Sequence, residues 1–130
     1  MSALIYKITK AKKENLPSVE IWGTGKARRE FLYNEDVADA MIFFMKKYNA
    51  KDLPAFINIG SGSDVTIKEL AFLIKDAIGY SGKLDFNTSK PDGMLKKKLN
   101  VKMATRLGWK HKVDIRTGIK KTVAWYKKNN

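Results

Sequence analysis

Residues 35–48 read as one long helix that is apolar on nearly every side, and no other stretch constrains the fold as much. Asn34 is placed to cap it, and Glu35 and Asp36 suit the positive end of its dipole. Val37, Ala40, Met41, Ile42, Phe43, Phe44 and Met45 leave it no wholly polar face. Such a helix needs neighbours on more than one side. The chain around it alternates between the two periodicities. Ala3–Asn15 reads as a helix through Leu4, Ile8 and Ala11, stopped by Pro17. Ser18–Trp22 alternates as a strand, Thr24–Arg28 is a Gly/Lys turn and Arg29–Tyr33 is extended. After a loop over Asn49–Pro54, Ala55–Gly60 has the composition of a short buried strand.

The second half continues the pattern. Gly60–Asp64 is a turn, and Thr66-Ile67-Lys68-Glu69 is a capping box opening a helix that ends near Ile78 with Gly79 beyond it. Lys83–Asn87 alternates as a strand and Thr88–Lys98 is a Lys-rich loop. Asn100 caps a short helix closed by Gly108, and Asp114 caps a last helix with Ile115, Ile119, Val123 and Tyr126 as its buried stripe. Alternating strands and helices place the chain in the α/β class, or α+β as an isolated piece.

Charge and composition narrow the function classes. The 130 residues carry 26 Lys+Arg against 13 Asp+Glu, a formal net charge of +13, with no Cys and one His. No disulfide framework or thiolate zinc site is possible. At 44% hydrophobic content the chain is not a disordered basic tail. No stretch reaches the ~20 apolar residues of a membrane span, and Met1–Ile8 lacks the roughly 7–15 apolar residues of a secretory signal. A reducing, cytoplasmic setting is the expectation. The cations point to an anionic partner. Only four of them are Arg (Arg28, Arg29, Arg106, Arg116), so most of this charge reads as a solvated Lys surface.

Several motifs carry a plain reading beside a chemical one. Gly60-Ser61-Gly62 lies between a strand and a helix, where a phosphate could sit, but G-x-G-x-x-G is incomplete and a tight turn suffices. Tyr6 and Lys10 have the Y-x-x-x-K spacing of short-chain dehydrogenases, yet only five residues precede Tyr6, and the match is read as coincidence. His111 stands alone in a Lys-rich turn as a surface histidine. Trp22-Gly23-Thr24-Gly25 followed by Arg28-Arg29 could stack a flat group and clamp a diphosphate, or could be a hairpin with solvated Arg. Ser89-Lys90-Pro91-Asp92-Gly93 followed by Lys96-Lys97-Lys98 could present ammonium groups to an anion, or be an exposed loop.

These last two motifs, with INIGSGSDVTIKELA and the LGW that precedes a terminal helix ending AWYKKN, resemble the C-terminal part of GDP-L-fucose synthase, an extended short-chain dehydrogenase/reductase. The blocks occur in the family's order and cover nearly all of residues 3–128. The resemblance implies an enzyme that epimerises GDP-4-keto-6-deoxy-mannose at two ring carbons and reduces its 4-keto group with NADPH. It implies that Lys7, Trp22, Arg29, Asp92 and Lys97 contact the nucleotide sugar, with Arg29 near the diphosphate. Two departures stand out. The family usually follows KPDG with Thr-Pro-Arg-Lys-Leu-Leu-Asp, where this chain has Met94-Leu95-Lys96-Lys97-Lys98-Leu99-Asn100, and Lys7 stands where an Arg is common.

The resemblance also implies that the Rossmann half is missing, and with it the glycine fingerprint and the catalytic residues. Residues 1–130 are then the C-terminal substrate-binding region of an extended short-chain dehydrogenase/reductase, with no catalytic, cofactor or metal residues of its own and no turnover alone. Residues 34–62 and 113–130 are expected to pack on the Rossmann half, supplied as a domain or a separate subunit. Left uncovered, their apolar surface is expected to drive self-association. The competing reading is a small basic nucleic-acid-binding domain. It is disfavoured because the Lys are spread over several elements and no recognition motif appears, so no specific nucleic acid and no membrane partner is expected.

Overall fold

A computed structural model describes all of residues 1–130. Five helices, α1 (Ser2–Lys13), α2 (Asn34–Lys47), α3 (Ile67–Ile78), α4 (Lys102–Arg106) and α5 (Ile115–Asn129), alternate with five short strands. The strands are β1 (Ser18–Trp22), β2 (Arg28–Arg29), β3 (Val65–Thr66), β4 (Lys83–Asn87) and β5 (Lys96–Lys97). β1 and β4 form a parallel pair in which Trp22 stands opposite Asn87. β2 is the centre of a second, smaller sheet, antiparallel to β3 and parallel to β5. This mixture of helix and strand agrees with the α/β expectation.

The main core forms where the amphipathic stripes meet. Ile5, Ile8 and Ala11 of α1 meet Val19 of β1, Leu70, Ile74 and Ile78 of α3, and Ile119 and Val123 of α5. Val19 and Ile21 point inward from β1 while Glu20 and Trp22 point out, the alternation a half-buried strand requires. Buried Tyr80 donates its hydroxyl to the Leu16 carbonyl at 2.8 Å, which closes the end of α1 onto the turn before β4. α5 uses its Ile119–Val123 stripe within this core, packed on α3.

Helix ends follow the sequence where a side chain makes the cap. Thr66 Oγ1 accepts from Glu69 N at 3.0 Å while Glu69 returns a carboxylate to Thr66 N at 2.7 Å, and Gly79 takes the left-handed φ of 71°. Asp114 accepts from the amides of Arg116 and Thr117. Other expectations need correction. α1 ends at Lys13, ahead of Pro17, because Asn15 turns left-handed (φ 52°) and Leu16 N reaches back to Ala11 O. Asn34 is the first helical residue of α2 instead of its cap, and Tyr33 caps through its backbone alone. Asn100 still accepts from Lys102 N at 3.1 Å, although Val101 occupies the cap position.

The larger corrections concern strands. Ala55–Gly60 is not a strand. It has no edge to pair with, so Ile57 and Ile59 lean on a small cluster of Ala40, Ala104 and Trp109, and Phe56 is 79% exposed. Val65–Thr66, between the expected turn and the capping box, and Lys96–Lys97, read as loop, are strands because each finds β2. The apolar helix α2 buries only Asp36 and Ala40, leaving Met41 at 62% and Met45 at 82% exposure.

Carboxylate hydrogen bonds set an acid limit on this fold. Glu20, Asp39, Asp64, Glu69, Asp92 and Asp114 are all held below their ordinary values, by Asn87, Lys112, Arg28, Thr66, Thr24 and Thr117 respectively as the leading cause. A depressed carboxylate stabilises the fold above its ordinary value and loses that contribution as pH falls through the depressed one. Thermal melts should therefore give a midpoint that is flat near neutrality and drops steadily below the ordinary 3.8–4.5 range. A midpoint unchanged into strong acid would remove these bonds from the account.

Candidate functional site

The carboxyl ends of parallel strands are where open α/β folds collect ligands, because the following loops converge there. At that end of β1 and β4 stand Trp22 and Asn87, followed by the turn 23–27 and the loop 88–95. Trp22 is 60% exposed, yet its ring is fixed. Its indole N–H donates to Glu20 Oε2 at 3.1 Å, and Asn87 Nδ2 donates to Glu20 Oε1 at 2.6 Å. These bonds, that from Asn87 foremost, hold the Glu20 carboxyl below its ordinary value. Lys7 of α1 and Lys90 of the loop lie over the indole, 5.7 and 5.5 Å from its centre. Lys7 also donates to the Glu20 carbonyl at 3.4 Å.

Asp92 continues the site from Trp22. Its Oδ1 accepts from Thr24 N at 2.7 Å and its Oδ2 from the Thr24 hydroxyl at 2.6 Å, so its carboxyl is held ionised by the turn itself. Gly23 permits this closure. Its φ is 86°, and a Cβ there would lie 2.3 Å from Asp92 Oδ1. One residue on, a Cβ on Gly93 would lie 4.0 Å from the Arg29 guanidinium. Arg29 in turn stands opposite Lys97 in the β2–β5 register. Lys7, Trp22, Asp92, Arg29 and Lys97, scattered over 91 positions of sequence, thus form one continuous strip.

Charge along this strip is not evenly neutralised. β2 and β5 set Arg28 opposite Lys96 and Arg29 opposite Lys97. Successive side chains of a strand point to opposite faces, and like charges directly opposite are destabilising. On one face the Asp64 carboxylate answers Arg28 through Nε and Lys96 at 3.4 Å. On the other, neither Arg29 nor Lys97 forms an ion pair, and Arg29 Nη1 turns back to the Arg28 carbonyl at 2.7 Å. Beside Lys97 a groove of about 480 Å³ is lined by Leu32, Ile59 and residues Lys96–Leu99. The larger cavity, about 510 Å³ between Phe31, Tyr33 and α5, is mainly apolar and holds none of the five residues.

The glycine turn is closed to a second anion. Glu30 Oε1 accepts from Gly62 N at 2.6 Å and from the Ser61 hydroxyl at 3.3 Å, while its Oε2 accepts from Leu99 N at 2.7 Å. A carboxylate already seated there would repel a second anion, and the turn is built around Glu30. Tyr6 and Lys10 sit on an exposed face of α1, with Lys10 paired to Glu14 at 3.9 Å. His111 has no cluster of metal-ligating neighbours. No helix is long and apolar enough to cross a membrane.

Sequence reasoning missed Glu20, Glu30, Asp64 and Asn87, and it placed Thr24 and Lys90 in its two motifs without giving either a role. Glu20 was within reach, since it lies two residues before Trp22 and must share its strand face. Asp64 and Glu30 gave no local signal, because their partners are 36 and 31 residues away.

Comparison with known proteins gives the chain's relatives. Residues 1–60 match the NAD dependent epimerase/dehydratase family. The chain is 44% identical over 99% of its length to "Probable GDP-L-fucose synthase 1" of Oryza sativa subsp. japonica, and 38% identical over 98% to GDP-L-fucose synthase of Escherichia coli strain K12. It spans 38% and 41% of those two proteins. Among solved structures it is similar to GDP-mannoheptose C4 reductase from Campylobacter jejuni with NADP bound (TM-score 0.86, 40% identity, 97% of this chain and 44% of that one). It is also similar to a GDP-L-fucose synthetase from Naegleria fowleri (TM-score 0.88, 30% identity, 98% and 38%).

Proposed function

We propose that this chain, similar over nearly its whole length to GDP-L-fucose synthases, is the nucleotide-sugar-binding portion of an NADP-dependent epimerase/reductase of that kind. The observation that carries the reading is the strip from Trp22 to the Arg29–Lys97 pair. A fixed, exposed indole flanked by cations suits the flat or sugar part of a ligand. Two adjacent cations with no internal counter-ion suit a diphosphate, which rewards a guanidinium fork most. Asp92, already anchored by Thr24, keeps lone pairs for donors on a base or sugar. No hydride step is assigned to any residue of this chain. NADPH and the chemistry would come from a dinucleotide-binding portion, in the same longer protein or in a separate subunit.

Titration with GDP tests this directly. Amide signals of Trp22–Arg29 and of Asp92–Lys97 should shift together and saturate at weak, millimolar-range affinity. Silence at millimolar GDP, with tight and steeply salt-dependent binding of a single-stranded oligonucleotide, would instead favour the nucleic-acid reading.

The apolar side chains left exposed support self-association or docking on a partner. Met41, Ile42 and Met45 of α2, and Phe56 of the following segment, are all more than half exposed. Light scattering at rising concentration should show a mass above that of the monomer, reduced by Met41→Glu with Met45→Glu. A monodisperse monomer at high concentration would contradict this.

A further inference from the structure

Resting on the nucleotide-sugar reading, the geometry points to Asp64 as a positioning residue for the anion site, one that never touches the ligand. β2 and β5 are two residues each, and together they place four cations in a two-by-two block. Around this block Arg28 N donates to Leu95 O at 2.7 Å, Glu30 N to Lys97 O at 3.2 Å and Leu99 N to Glu30 Oε2 at 2.7 Å. Repulsion between facing cations opposes these. Asp64 supplies the missing attraction on one face only. Its side chain is 8% exposed and takes Arg28 Nε on one oxygen and Lys96 Nζ on the other, while Arg28 Nη2 donates to the Asp64 carbonyl at 3.0 Å.

The consequence falls on the opposite face. With Arg28 and Lys96 drawn to Asp64, Arg29 and Lys97 are left side by side on the far side of the ladder. Asp64 also closes the loop that carries both remaining groups. Residues 88–98 are anchored early by Asp92 on Thr24 and late by Lys96 on Asp64. Cutting the late anchor leaves Lys97 held only by Glu30, through Glu30 N on Lys97 O and Leu99 N on Glu30 Oε2, while Asp92 stays in place.

This assignment makes a prediction whose sign differs from that of simple electrostatics. Asp64→Asn removes a negative charge next to an anion site, so long-range attraction alone would tighten GDP binding. A positioning role predicts that it loosens, by about five- to tenfold, through a misplaced Lys97. Asp64→Glu should recover part of the loss. Because a buried substitution can harm the fold, a charge-matched surface pair gives an independent reading. Lys96 and Lys98 flank Lys97 equally along the chain, but only Lys96 reaches Asp64. Lys96→Gln should weaken GDP binding several-fold more than Lys98→Gln and should speed amide exchange at Arg28 and Glu30 without affecting α3. Equal losses for the two lysine variants, or unchanged or tighter binding by a folded Asp64→Asn, would overturn the positioning role alone. Failure of the unaltered chain to bind GDP at all would instead overturn the nucleotide-sugar reading, and this assignment with it.

Discussion

Arg29→Ala should weaken GDP binding by about ten- to hundredfold, the range expected when a charge-assisted contact of about 1.5–3 kcal/mol is lost. The same variant should melt at an equal or higher temperature than the unaltered chain. The reason is the register: Arg29 stands opposite Lys97, and neither has a carboxylate partner. In the free protein this face of the ladder is electrostatically unfavourable, and deleting either charge relieves it. Residues kept for binding at the expense of stability are expected at functional sites. Lys97→Ala should follow the same two trends, with a smaller loss of affinity because an ammonium cannot make the bidentate contact. Calorimetric titration and a thermal melt on the same samples decide the matter. Lower stability together with unchanged GDP affinity would mean that Arg29 is structural.

A second large effect is expected at Asp36→Ala, this time on stability. Asp36 is the only charged residue fully buried, at 2% exposure. Its two oxygens accept from the backbone amides of Lys112 at 2.9 Å and Val113 at 3.0 Å, which ties the first turn of α2 to the segment leading into α5. Alanine would leave both amides without an acceptor, at roughly 1–3 kcal/mol each. A total of about 2–6 kcal/mol is a large share of the 5–15 kcal/mol typical of a domain. Asp36→Asn keeps one good acceptor and should lose about half as much. Nearby Asp39, which accepts from the Trp109 indole at 3.1 Å and pairs with Lys112, is the natural comparison. Its bonds lie nearer solvent, so Asp39→Ala should cost less. Urea unfolding midpoints for the three variants test the order, and a loss below about 1 kcal/mol for Asp36→Ala would refute the argument.

The candidate site was legible in the sequence unevenly. Trp22 and Arg29 stood out because an aromatic, a glycine turn and two Arg follow one another within eight residues. Lys97 was singled out by the family resemblance alone, since nothing local separated it from Lys96 or Lys98. The register with β2 separates them, giving Lys96 to Asp64 and leaving Lys97 beside Arg29. The Gly60-Ser61-Gly62 turn shows the same limit from the other side. Its sequence left open a phosphate seat or a plain turn, and Glu30, 32 residues before Gly62, occupies it.

The amino-acid sequence by itself determined those features whose hydrogen bonds close within a few residues. The capping box at Thr66, the Asp114 cap, the glycine stop at Gly79 and the stripes of α1, α3 and α5 are of this kind, since a helix bonds i to i−4 and needs no distant partner. Tertiary structure alone decided the strands of the second sheet and the loss of the one expected at Ala55–Gly60. A strand exists only when another edge accepts its hydrogen bonds. Lys96–Lys97 found such an edge in β2, and Ala55–Gly60 found none. The same long-range pairing set Arg29 beside Lys97 without a counter-ion, which no window of sequence could have shown.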